Sequence, residues 1–166
     1  MDAARDSRPE APAKPPRSED PPAEVVPGVR EFDHTADLGM AVSAPDLAEL
    51  FRRAARGMAR LMRESAARPP AGAATSCRVQ LASGSPDLLL VAWLSELLYL
   101  DEVEGLVFED AIFDDPGALA EGQLAATVTS RPTHSLPERQ LKGVTYHGLR
   151  LEPGVEGWEA EVIFDI

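Results

Sequence analysis

Trp158-Glu159-Ala160-Glu161-Val162-Ile163-Phe164-Asp165-Ile166 decides what kind of molecule this is. Trp158, Ala160, Val162, Phe164 and Ile166 fall on one side of an extended chain, and Glu159, Glu161, Ile163 and Asp165 on the other. A strand so divided buries one face and needs something apolar to cover it. Upstream, Leu47, Phe51, Ala54, Ala55, Met58, Leu61 and Met62 recur at helical spacing, with Ser43 as a cap and Pro45 in the first turn. Ser85-Pro86-Asp87 opens a second helix running to about Leu100. It is apolar nearly all round and is expected to be the most buried element, with Trp93 a core residue.

Further strands are expected at Val29–Phe32, Leu38–Ser43, Cys77–Leu81, Leu106–Phe113, Gln123–Thr129 and Leu141–Leu151. Pro153-Gly154 and Glu156-Gly157 mark the turn into the last strand. Two helices and about seven strands, several joined by short turns, predict an α+β fold. The helices pack on one face of a mainly antiparallel sheet in a single domain.

The 166 residues hold 16 Lys and Arg against 28 Asp and Glu, a net charge of −12. That sign argues against direct binding to nucleic acid, whose phosphates need a basic face. One cysteine, Cys77, cannot form an internal disulfide and reads as a core thiol. No apolar signal segment is visible, and the longest apolar run, Leu88 to Leu100, is too short for a membrane span. The expected location is the cytoplasm. Residues 1–29 carry seven of the fifteen prolines and no aromatic residue, and read as a disordered tail ahead of a folded body at 30–166.

Charge is unevenly placed. Arg52, Arg56, Arg60 and Arg63 line one face of the first helix and read as a solvated surface, with docking of an acidic partner the lesser reading. Between Arg78 and Arg131 there are ten acids and no Lys or Arg, clustered as Asp101, Glu102, Glu104, Glu109, Asp110, Asp114 and Asp115. Such an edge suits a cation or a basic protein surface, or simply keeps the protein in solution.

No Gly-rich phosphate loop, nucleophile elbow or paired-Cys metal motif is present. Three features remain. His34 lies beside Asp33 and Asp37 in a short polar corner, where Asp37 either starts a turn or belongs to a site. Lys142 is the one Lys among twelve basic residues of the body, and offers a compact charge that a guanidinium does not. A final strand ordered to Ile166 would fix a terminal carboxylate beside Asp165, and two neighbouring carboxylates call for a cation or a Lys. With Asp37 they form an all-oxygen set suited to calcium, magnesium or manganese rather than zinc.

Asp33-His34-Thr35-Ala36-Asp37, Leu50-Phe51 with Ala54-Ala55 and Gly57-Met58, Leu97-Leu98-Tyr99-Leu100, Lys142-Gly143-Val144-Thr145-Tyr146-His147 and Ile163-Phe164-Asp165-Ile166 occur in this order. Together they resemble the archease family over roughly 30–166. The resemblance implies a protein cofactor without a catalytic centre of its own. Its partner would be an RtcB-type RNA ligase of tRNA splicing, whose guanylylation and multiple turnover it promotes. The family's metal site would map onto Asp37, Asp165 and the terminal carboxylate of Ile166, holding a divalent cation, with calcium first and magnesium or manganese as alternatives. Lys142 and His34 would serve partner activation. Two other classes stay open: a metal-dependent hydrolase using His34, Asp37, His147 and Asp165, and a general chaperone or adaptor.

Overall fold

The structure is a computed structural model, and it describes residues 24–34, 37–63 and 72–166. Eight strands and two long helices follow the order β1 (Glu24–Val26), β2 (Val29–His34), β3 (Asp37–Ala44), α1 (Leu47–Met62), β4 (Thr75–Ala82), α2 (Pro86–Glu102), β5 (Leu106–Phe113), β6 (Gln123–Pro132), β7 (Gly143–Gly154) and β8 (Gly157–Asp165). A short 3-10 turn, Pro116–Glu121, bridges β5 and β6. The α+β expectation holds, with every strand pair antiparallel. The strands divide into two sheets, however: five in the order β1-β2-β3-β8-β7, and three in the order β4-β6-β5.

The described residues begin at Glu24, and a first strand lies ahead of the boundary expected at residue 30. Glu24–Val26 pairs with β2, and Val25 and Val26 pack against the core. Two valines in a Pro-rich context were enough to make an edge strand. The remainder of the expected tail, residues 1–23, lies outside the described residues, as does the stretch 64–71.

Both helices pack between the inner faces of the sheets and form one core with them. α1 is the more deeply set, burying eleven of its sixteen residues against eight of seventeen in α2, which reverses the expectation. α2 is apolar nearly all round, yet Leu88 and Tyr99 on it face solvent. Composition alone does not say which helix is central; the number of surfaces around it does. Gly57 lets α1 sit close to the five-stranded sheet, since a Cβ there would fall 2.7 Å from Val29 and 2.9 Å from Met40. Phe51 of α1, Trp93 of α2 and Phe108 and Phe113 of β5 meet edge-on or tilted, with ring centroids 5.7–6.4 Å apart. The buried indole of Trp93 donates to the Phe51 carbonyl at 3.1 Å, which avoids the cost of an unpaired donor.

Helix ends differ in detail from expectation. Asp46, not Ser43, caps α1 by accepting from the Glu49 amide at 2.8 Å. Ser85 holds the N-cap position of α2, but its hydroxyl donates to Asp87 instead of accepting from the helix.

Candidate functional site

At one end of the five-stranded sheet, backbone register aligns the residues singled out from the sequence. His34 pairs with Asp37 across the β2–β3 hairpin. Leu38 faces Phe164 between β3 and β8, so one further step of that register sets Asp37 beside Asp165. Asp165 in turn faces Gly143 of β7. The row His34, Asp37, Asp165, Gly143 thus crosses four neighbouring strands. Alternation places Asp37 and Asp165 on the outer face, opposite the core face of Leu38, Met40, Val162 and Phe164. Thr35 and Ala36 of the corner lie outside the described residues.

Lys142 joins this row from the loop before β7. Its amide donates to the Asp165 carbonyl at 2.8 Å, and its Nζ donates to the main-chain oxygen of Ile166 at 2.9 Å. The loop is fixed from below. Leu141 is fully buried, the amides of Glu138 and Arg139 donate to the Met62 carbonyl at the end of α1, and Arg139 bonds Glu31 of β2 at 2.8 Å. Those anchors escaped the sequence reading, which placed Leu141 at the start of a strand that in fact begins at Gly143.

Asp165, Ile166 and Lys142 are exposed and Asp37 is half-buried. The residues that could hold a hard cation are Asp37, Asp165 and the Ile166 carboxylate, an all-oxygen set in chemistry. Among the described residues, no three His, Cys, Asp or Glu side chains gather as a metal cluster. His147 does not continue the row. β7 carries five steps, Thr145 to Arg150, against two of β8, Ile163 to Glu161, and His147 lies in this exposed bulge with Tyr146. Gly148 adopts φ +66° there, a conformation L side chains rarely take.

The two charged stretches read from the sequence turn out to serve each other. Arg52 donates to the Ala111 carbonyl at 2.9 Å and lies 5.4 Å from the Phe113 ring centroid. Arg56 reaches the Glu109 carbonyl and the Asp110 carboxylate, at 3.3 and 2.8 Å. Arg63 bonds Asp101 through both oxygens, at 2.6 and 2.5 Å, with side chains only 9% and 4% exposed. The expected solvated arginine face is therefore a clamp between α1, α2 and β5, and only Arg60 of the four is exposed. Of the acids, Glu109 pairs with Arg131 and Asp114 with Arg78, and Asp115 caps the 3-10 turn. Hydrogen bonds from Arg78 hold the Asp114 carboxyl below its ordinary range. Burial raises the pKa of Glu49, but hydrogen bonds and charge from Arg53 and Arg52 outweigh it and leave the group lowered. Cys77, half-buried at the core's edge, has its thiol pushed up by burial and then by Glu96, the opposite of what a nucleophile needs.

Residues 30–166 match the Archease protein family (MTH1598/TM1083). Protein archease of Methanosarcina acetivorans is 34% identical over 139 residues, covering 81% of this chain and 93% of that protein. Protein archease of Thermococcus gammatolerans is 30% identical over 141 residues, covering 81% and 96%. The solution structure of Methanobacterium thermoautotrophicum protein 1598 superposes with a TM-score of 0.63 at 26% identity, covering 85% of this chain and all of that one. A Thermotoga maritima crystal structure, described as an archease and possible chaperone, reaches 0.58 at 19% identity over 81% and 94%, a likeness of fold alone. Among the described residues no helix is long and apolar enough to cross a membrane.

Proposed function

The chain belongs to the archease family, and from that premise we propose that it is a non-catalytic activator of an RtcB-type RNA ligase in tRNA splicing. It acts in the cytoplasm, promotes guanylylation of the ligase and so sustains multiple turnover. Its working part is the row of Asp37, Asp165 and the terminal carboxylate of Ile166, with Lys142 beside it and His34 on the neighbouring strand. The observation that carries this reading is the convergence of two aspartates and the chain end at one sheet corner, with the Lys142 Nζ 2.9 Å from the Ile166 oxygen.

This corner would present oxygen ligands at the mouth of a partner's active site. A divalent cation held there, calcium first and magnesium or manganese as alternatives, would supply charge neutralisation for phosphate chemistry in the ligase. Lys142 keeps the chain end in place and offsets part of its charge. The net charge of −12 fits an activator that leaves RNA to its partner.

A single-turnover guanylylation assay tests the proposal. The cognate ligase, labelled GTP and manganese are mixed with the full chain, with an Asp37→Ala variant, and with a version extended past Ile166 by a short tag. Stimulation by the native chain, lost in both altered forms, is expected. Full stimulation by Asp37→Ala removes the carboxylate row from the mechanism. No stimulation by any form sinks ligase activation and returns the hydrolase and adaptor readings.

A further inference from the structure

We infer that Phe32, seated on Gly39, is the positioning residue that holds the carboxylate row in register, an inference whose functional half rests on the ligase-activation reading. The outer face of a five-stranded sheet covered by helices on its inner side should be polar, and most of it is. Ile163 of β8 breaks the rule: it belongs to the outer face by alternation and is only 2% exposed. Its covers are identifiable. Gly39 faces Ile163 across β3–β8 and Phe32 across β2–β3. A Cβ built on Gly39 would lie 2.2 Å from Cε2 and 2.4 Å from Cζ of Phe32, so the ring occupies the space that any side chain there would need. From the other side, Gly148 in the β7 bulge approaches Ile163, where an added Cβ would sit 3.4 Å from Cγ1.

Phe32, Gly39, Ile163 and Gly148 thus form a small apolar patch across the same four strands that carry the row. Gly39 and Ile163 stand two residues from Asp37 and Asp165 on their strands. The patch ties β2, β3, β8 and the bulged β7 together on the outer face, where no helix does so. The bulge has its reason here: an extra loop of chain carries Gly148 over Ile163, with a left-handed residue where a Cβ would be strained. The core on the inner face does not depend on this ring.

The test uses the full chain carrying Phe32→Ala, Phe32→Leu or Gly39→Ala. Gly39→Ala evicts the ring without deleting it, and so keeps the inference testable should Phe32→Ala fold poorly. Hydrogen exchange on the protein alone reports position. Amides of residues 37–40 and of Lys142 should exchange about tenfold faster in Phe32→Ala and Gly39→Ala, while α1 and α2 keep their protection. Phe32→Leu should restore most of it. In the guanylylation assay with the cognate ligase, labelled GTP and manganese, maximal stimulation should fall about tenfold in the first two variants and recover in Phe32→Leu. Unchanged exchange at the corner in both disruptive variants overturns the inference. Faster exchange with wild-type stimulation overturns its functional half. Faster exchange when even the native chain stimulates nothing upholds the positioning role and refutes ligase activation.

Discussion

Carboxylates gather twice in this protein, between Asp101 and Asp115 and again at the sheet corner of Asp37, Asp165 and Ile166. The first group meets arginines of its own chain: Asp101 with Arg63, Glu109 with Arg131, Asp110 with Arg56, Asp114 with Arg78. These pairs tie α1 to α2, α1 to β5, and the strands of the three-stranded sheet to one another, and their acids complete the fold. The second group is assembled by strand register at an exposed rim, with Lys142 reaching the chain end. An acid-rich stretch in a sequence is therefore a poor guide to function. The acids of the first group are tied to arginines of the fold, and those of the corner are the ones proposed to act toward a partner.

The largest effect that sharpens this contrast is at the buried pair. Arg63→Ala leaves the Asp101 carboxylate almost fully enclosed and should cost about 3–5 kcal/mol by denaturant unfolding. Replacing both partners, Arg63→Met with Asp101→Leu, should recover most of that loss. A cost under about 1 kcal/mol for Arg63→Ala would make the pair equivalent to a surface bridge and dissolve the distinction.

Glu49 is intermediate, bonded to Arg52 and Arg53 with a quarter of its side chain exposed. Glu49→Gln should cost about 1 kcal/mol at neutral pH. Its folded pKa is lowered below 4.5, so the stabilisation is present above the unfolded pKa and lost as pH falls through the folded one. Melting temperatures of wild type and variant should differ at pH 7 and converge as pH falls through the lowered pKa of the folded state. A constant gap would mean that shape, not charge, is what Glu49 contributes.

Asp165→Asn at the corner should change stability by no more than about 0.5 kcal/mol, yet abolish stimulation of the ligase in the guanylylation assay. A large loss of stability instead would move Asp165 into the structural class. The smallest effect belongs to Arg78→Ala on the open face of the three-stranded sheet, where both partners are half exposed. Its melting temperature should match wild type at high salt, because screening already weakens the exposed pair.

What could be read from the sequence followed local pattern. The alternation of Trp158–Ile166 and the helical spacing from Leu47 to Met62 each carry their own period, and both elements appear where expected. The division into two sheets carries no such mark, because pairing joins residues far apart in the chain. The arginine face was misread for the same reason: its acceptors are carbonyls of β5, some sixty residues away, beside a bulge at Glu109 that spacing does not show. At the site, the residue types were legible and Asp37, Asp165 and Ile166 were grouped as one set, but the strand register that brings them side by side carries no local mark. Asp37 and Asp165 meet only through the β3–β8 register, and the Phe32–Gly39 contact needs two registers at once.

That register has a consequence for how the molecule comes into being. β8 is the last of the described strands to leave the ribosome, yet it takes a place inside the five-stranded sheet, between β3 and β7. Until it arrives, the β1-β2-β3 group and β7 have no common neighbour, and both keep unpaired edges that invite wrong partners. The helices and the three-stranded sheet can form while synthesis continues. The larger sheet must wait for a strand more than a hundred residues downstream of β3, and such long-range pairing is expected to be slow to close.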